Sequence, residues 1–166
     1  GKAPPFWAGL KFFNVYGPNE QHKGDMKSVV AKNYPVIAAG ETVSLFRSHR
    51  PEYEDGGQLR DFVYVKDCVE VACWLLEARP ASGLYNVGSG KARSFADLIR
   101  AVGNAIAVEP AISYIDMPVS IRNKYQYFTE AEMGKLRAAG YGRPLTALED
   151  GVRDYVLNHL APNELY

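Results

Sequence analysis

"RDFVYVKDCVEVACWLL" runs from Arg60 to Leu76 and changes period in the middle. Its first part, "DFVYV" at 61–65, sets four consecutive β-branched or aromatic residues after Asp61, the pattern of a buried strand. Its second part places Val69, Ala72, Cys73, Leu75 and Leu76 at helical spacing, with Asp67 positioned as the N-cap. A strand that passes at once into an apolar helix belongs to an α/β architecture. The neighbouring sequence agrees. "LKFFNV", Leu10 to Val15, is an aromatic-rich strand ended by Gly17-Pro18, "TVSLF" at 42–46 reads as another, and further strands fall at 84–87 and 112–115. With helices interleaved between most of them, the class is mixed α/β, and no repeat, low-complexity tract or linker divides the chain.

Local signals place the helices. Met26, Val29, Val30 and Ile37 recur at helical spacing and predict a helix over 25–39 with Asp25 as its cap and a break or kink at Pro35. Ser94 with Asp97, Thr129 with Glu132 and Thr146 with Glu149 each read as a capping box, in which the first side chain accepts from the N3 amide and the acid reaches back. Arg47 to Arg60 has no period at all, and a loop of that length in a small domain is more often functional than idle.

Composition narrows the function classes. Nineteen Lys and Arg balance nineteen Asp and Glu in 166 residues, with no block of like charge, so neither a nucleic-acid groove nor a polybasic membrane patch is supported. No apolar run approaches the roughly 20 residues needed to span a bilayer. Cys68 and Cys73 share one helical stretch at a spacing that suits neither a disulfide nor a zinc site, which fits a reducing cytoplasm. The start, "GKAPPFWAG", has no signal-peptide order and reads like an interior loop cut open.

Most chemical motifs are absent or have plain explanations. "NVGSGKARS" stands where a phosphate loop would, between strand and helix, but Arg93 occupies the third glycine position of a dinucleotide fingerprint, and Tyr85 and Ala92 exclude a Walker loop. These glycines read as a turn with Ser94 capping the next helix. His22, His49 and His159 show no metal-ligand spacing, and His159 near the end of the last helix suits the negative end of its dipole. Capping accounts for Asp67. Arg60 could pair with a loop acid or grip a phosphate with its planar fork. Tyr125 and Tyr127, beside Arg122 and Lys124, could stack on a base or sugar or simply pack. Lys23, in the polar stretch "NVYGPNEQHKGDM", reads as a solvated loop lysine unless something desolvates or positions it.

The ordered pieces "FFNVYGPNE", "HKGDM", "RDFVYVKD", "YNVGSGKARSF", "KYQYFT" and "LRAAGY" resemble the C-terminal half of extended short-chain dehydrogenase/reductases acting on nucleotide sugars. The narrower pieces, "NVYGPNEQHKGDM", "KYQYFT" and "LRAAGY", are similar to the ADP-L-glycero-D-manno-heptose 6-epimerase family, over about Gly9 to His159. The resemblance implies an NADP-dependent isomerase that epimerises an ADP-linked heptose at the 6'' carbon by hydride removal and return, on the route to the lipopolysaccharide core. It makes Lys23 the second acid/base and a cofactor neighbour. Val15 falls at the cofactor, and Asn14, Asp25, Lys32, Phe46, Arg47, Ser48, His49, Arg60 and Tyr125 fall at the substrate. Asp25 stands where the family often has a small hydroxyl residue, Lys32 where histidine is frequent, and the 47–59 loop is longer than expected.

The family's glycine fingerprint and Tyr-x-x-x-Lys pair are missing, since none of the eleven tyrosines has lysine four residues on. By the resemblance, residues 1–166 are therefore the C-terminal, substrate-binding part of a cytoplasmic nucleotide-sugar epimerase. Strands within about 8–24 and 80–108 are expected to pack on an absent NADP-binding Rossmann unit, whose sheet they would complete. The implied partners are the ADP-heptose substrate, that N-terminal half and, at full length, further copies of the same chain. The alternatives are a non-catalytic nucleotide-sugar-binding fragment, or a different extended short-chain epimerase or dehydratase.

Overall fold

The strand read at 61–65 is the hub of the structure, a computed structural model that describes residues 4–162. β4 (Leu59–Tyr64) pairs in parallel with β2 (Asn14–Tyr16), matching Asn14 to Phe62 and Tyr16 to Tyr64, and antiparallel with β6 (Ala92–Ser94), matching Arg60 to Arg93. Side chains alternate across a strand. Phe62 and Tyr64 therefore enter one apolar core, with Tyr16, Val30, Leu98, Val102 and Val152, while Val63 enters a second with Val71, Leu75, Tyr85 and Tyr141. Burial on both faces is why Phe62, Val63 and Tyr64 follow one another without a polar residue between them.

Two further pairs flank the hub. β1 (Ala8–Phe12) runs parallel to β5 (Gly83–Val87), and β3 (Val43–Phe46) runs parallel to β7 (Ile112–Ile115). α2 (Val65–Ala78) leaves β4 directly and buries Cys68, Val71 and Leu75. α1 (Val29–Ala38), α3 (Phe95–Ala105) and α6 (Leu148–Tyr155) pack together over the first core, and a wide turn, Val156–Leu160, extends α6. The short helices α4 (Val119–Arg122) and α5 (Gly134–Ala138) fill the connection from β7 to α6.

Several local expectations are corrected. The segment expected to begin a helix at Asp25 is a short 3₁₀ turn, Gln21–Met26, broken at Gly24 (φ 51°, ψ −123°). α1 is capped instead by Ser28, whose hydroxyl accepts from the Ala31 amide. Pro35 lies inside α1 without ending it there. Asp67 is not a cap: α2 starts at Val65, and the buried Asp67 carboxylate accepts from the amide (2.9 Å) and hydroxyl (2.7 Å) of Thr146. Thr146 is thereby spent on Asp67, and Ala147 stands at the start of α6 with no side-chain cap. Thr129 continues a pairing with Leu59 instead of opening a helix, since α5 begins only at Gly134. The Ser94–Asp97 capping box is present in full. β6, three residues long, was too short to leave a periodic trace.

Candidate functional site

Arg60 and Asp61 are adjacent on β4, point to opposite faces and are both buried. Asp61 faces the glycine turn. One carboxylate oxygen accepts from the Ser89 amide (2.6 Å) and hydroxyl (2.7 Å), the other from the amides of Gly90 and Ala131 (both 2.9 Å). A Cβ on Gly88 would lie 2.6 Å from that carboxylate and 2.5 Å from the Ala131 methyl. The turn amides thus cradle a carboxylate of the chain itself, and Gly88 is glycine because the acid sits against it.

On the Arg60 side, Phe95 and Tyr125 wall a cleft of about 320 Å³ built from α1, β3 and the chain before α5, together with Lys32, Phe46 and Gln58; Arg60 lies against the two rings and is not itself in the wall. Its guanidinium lies 5.1 Å from the Tyr125 ring centre and 5.7 Å from that of Phe95, and donates to the Leu59 carbonyl at 2.8 Å. Burial lowers its pKa. Among the described residues no carboxylate pairs with it, so the ion pair that spacing had left open is not formed. Tyr125 meets Phe46 edge-on at 6.1 Å and Tyr127 at 5.9 Å, and burial raises its pKa against the pull of Arg60. The cleft thus presents half-buried aromatic rings with one buried cation behind them.

The long loop after β3 is pinned beside this cleft. The Arg47 side chain reaches Asp55 (3.8 Å) and Asp116 (3.7 Å), the Ser48 amide donates to Asp55 (2.8 Å), and the His49 amide donates to the Tyr127 hydroxyl (2.8 Å). Arg50 stacks 4.7 Å over Tyr127, and Gln58, 1% exposed, donates to the Phe46 carbonyl. Of the residues expected at a substrate, Lys32, Phe46 and Tyr125 therefore share one cleft with Arg60 behind it, while Arg47, Ser48 and His49 form its adjoining rim. Asn14 and Val15 lie on β2, exposed and half-buried, and Lys23 and Asp25 lie on the exposed 3₁₀ turn; none of these four lines the cleft.

Sequence patterns passed over Gln58, Asp61, Glu20 and Tyr155. Glu20, 3% exposed, accepts from Ser28 and from the Tyr155 hydroxyl. Its polar context, "GPNEQHK", gives no hint of burial. Among the described residues no cluster of His, Cys, Asp and Glu could hold a metal ion, and no helix is long and apolar enough to cross a membrane.

The model of the NAD dependent epimerase/dehydratase family matches residues 6–88, half of the chain. The chain belongs to that family. Within this epimerase/dehydratase family it is similar to an ADP-L-glycero-D-manno-heptose-6-epimerase of Nitratidesulfovibrio vulgaris, 60% identical over 93% of this chain and 48% of that protein. Among solved structures it is similar to the Helicobacter pylori ADP-L-glycero-D-manno-heptose-6-epimerase, with TM-score 0.75, 31% identity and coverage of 91% of this chain and 43% of that one. It is also similar to the Thermus thermophilus UDP-glucose 4-epimerase complexed with NAD, with TM-score 0.72, 28% identity and coverage of 94% and 47%. The fold is thus the mixed α/β fold of sugar-nucleotide epimerases. The chain spans about half the length of the curated relatives it matches.

Proposed function

We propose that this chain is the substrate-binding half of an ADP-L-glycero-D-manno-heptose 6-epimerase, an isomerase. The observation that carries the reading is Arg60: a buried guanidinium with no carboxylate partner among the described residues, set against two aromatic rings that wall the cleft. A diphosphate supplies the anion that this cation lacks, and the planar fork suits it. Phe46 and Tyr125 offer faces to an adenine or sugar, and Lys32, exposed at the same cleft, adds a second positive charge. The Arg47–His49 rim, Asn14 and Asp25 complete the proposed substrate contacts.

A nicotinamide dinucleotide fits this chain at its reactive end only. No glycine loop at dinucleotide spacing opens a helix among the described residues, so phosphate binding would fall to an N-terminal Rossmann unit. The parallel pair β1–β5 ends beside the entry to β2, and ligands of open α/β sheets sit at such carboxyl ends. Val15 and Lys23 would meet the cofactor there, which in this proposal is NADP. When bound, it supplies hydride removal from the sugar carbon and hydride return. Each hydride transfer must be balanced at the hydroxyl oxygen, which gives up a proton as the ketone forms and takes one back as hydride returns to the opposite face; Lys23 is assigned that proton for one of the two faces. The other group would come from the N-terminal half. That half would pack on the β1–β5 ribbon, where Leu84 with Trp7 on one face and Phe12 on the other are exposed.

In this reading the enzyme is a cytoplasmic homo-oligomer that makes a lipopolysaccharide core precursor. Replacing Lys23→Met in the full-length enzyme is expected to lower turnover about a hundredfold with NADP binding retained, the scale of one lost acid/base group. Unchanged turnover removes Lys23 from the chemistry.

A further inference from the structure

The turn that carries Lys23 has no apolar anchor of its own. Gln21–Met26 contains no buried residue, is interrupted at Gly24, and ends on Met26 at 83% exposure. An exposed, kinked six-residue turn with no apolar anchor would ordinarily open at little cost. A group that exchanges a proton with one face of a substrate needs a fixed position.

The restraint lies at the two ends of the turn. Glu20 precedes it and is buried. One carboxylate oxygen accepts from the Ser28 amide at 2.7 Å, and the other from the Ser28 hydroxyl at 2.6 Å and the Tyr155 hydroxyl at 2.9 Å. The same Ser28 hydroxyl accepts from the Ala31 amide and caps α1. Inside the turn, the Lys23 amide donates to the Glu20 carbonyl at 3.0 Å. One carboxylate therefore closes the loop at its base, fixes it to the start of α1 and ties it to α6 through a fully buried tyrosine. Burial and the neighbouring carboxylate push the Tyr155 hydroxyl well above its ordinary pKa, so it remains a donor.

A buried carboxylate is a costly way to close a surface loop, because it must leave water and have its lone pairs satisfied. Here the polar groups converge on a single target, the base of the Lys23 turn between Glu20 and Ser28, and α1, which emerges from the same knot, carries Lys32 into the cleft. We infer that Glu20 and Tyr155 are positioning residues: through Ser28 they hold the Lys23 turn in register with the α1 side of the substrate cleft. The inference rests on the assignment of Lys23 to proton handling.

The test uses the full-length enzyme with its nicotinamide bound. Tyr155→Phe removes one hydroxyl and no packing volume, Glu20→Gln keeps the shape and an acceptor, and Glu20→Ala removes both oxygens. Amide hydrogen exchange across residues 21–28 is expected to speed up about tenfold in Tyr155→Phe and more in Glu20→Ala, with the rest of α6 unchanged. Turnover should fall roughly tenfold in Tyr155→Phe while the KM for the sugar nucleotide stays within about twofold, with Glu20→Gln retaining more turnover than Glu20→Ala. Unchanged exchange in both Tyr155→Phe and Glu20→Gln overturns the tie, whatever Lys23 does. Faster exchange with unchanged turnover overturns the positioning role. Full turnover in Lys23→Met, with the turn still protected, overturns the assignment of Lys23 and the positioning role with it, while leaving the tie intact. If Glu20→Ala does not fold, Tyr155→Phe alone decides.

Discussion

The Arg60 guanidinium stacks 5.1 Å from the Tyr125 ring centre, and its one hydrogen bond to the protein among the described residues goes to the carbonyl of its own neighbour, Leu59. A buried cation held this way is satisfied in shape but not in charge. It has donors to spare and lies behind the Phe95 and Tyr125 walls of the cleft, with no acid of its own among the described residues.

That asymmetry gives the first prediction. Arg60→Met in the full-length enzyme should weaken ADP binding by about 2 kcal/mol, or roughly thirtyfold, the value of a charge-assisted contact. Arg60→Lys should recover little, because a point charge on a flexible stem reproduces neither the stacking nor the fork. Isothermal titration with ADP measures both. Equal affinity for ADP in wild type and Arg60→Met would remove the diphosphate from this cleft.

The same pair shows what sequence could and could not convey. The buried strand 61–65, the helix after it and the Ser94 capping box were legible, because period and cap chemistry are local. Arg60 was legible as a candidate but not as an unpaired cation, since its neighbours Phe95 and Tyr125 arrive from elsewhere in the chain. Asp67 failed for the same reason. A helix-start acid looks like a cap until Thr146 is folded against it, and that one contact also removes Thr146 from its own predicted box. Glu20 was invisible: a polar stretch suggests solvent, and only the arrival of Tyr155 makes the acid buried.

Acid stability provides the second prediction. Asp154 accepts from Lys66 (2.6 Å), Tyr64 (2.6 Å) and Asn158 (2.6 Å), and although burial pushes its carboxyl up, these hydrogen bonds hold it down at about 2 against an ordinary 3.8. A depressed folded pKa means that the carboxylate contributes stability above its unfolded pKa and loses it as pH falls through the folded value. The contribution should therefore be fully present at neutral pH and fade between about pH 4 and pH 2. Asp154→Asn should lower the urea midpoint at pH 7 and flatten its fall across that window. A parallel shift of the whole pH curve would mean that Asp154 does not titrate with folding.

The last prediction concerns the β1–β5 ribbon. Two strands make a marginal sheet by themselves, and this pair leaves Leu84 at 68% exposure on one face, with Trp7 beside it at 44%, and Phe12 at 47% on the other. Open strand edges next to exposed large apolar side chains invite pairing with another chain. The 166-residue chain by itself should therefore associate in a concentration-dependent way, and Leu84→Lys with Phe12→Lys should shift it towards monomer by placing charge on both strands. Light scattering across a dilution series, with circular dichroism to show that the variant keeps its fold, reads the outcome. A folded wild-type chain that stays monomeric at high concentration would show that this ribbon needs no cover, and would withdraw it as the place where an N-terminal half packs.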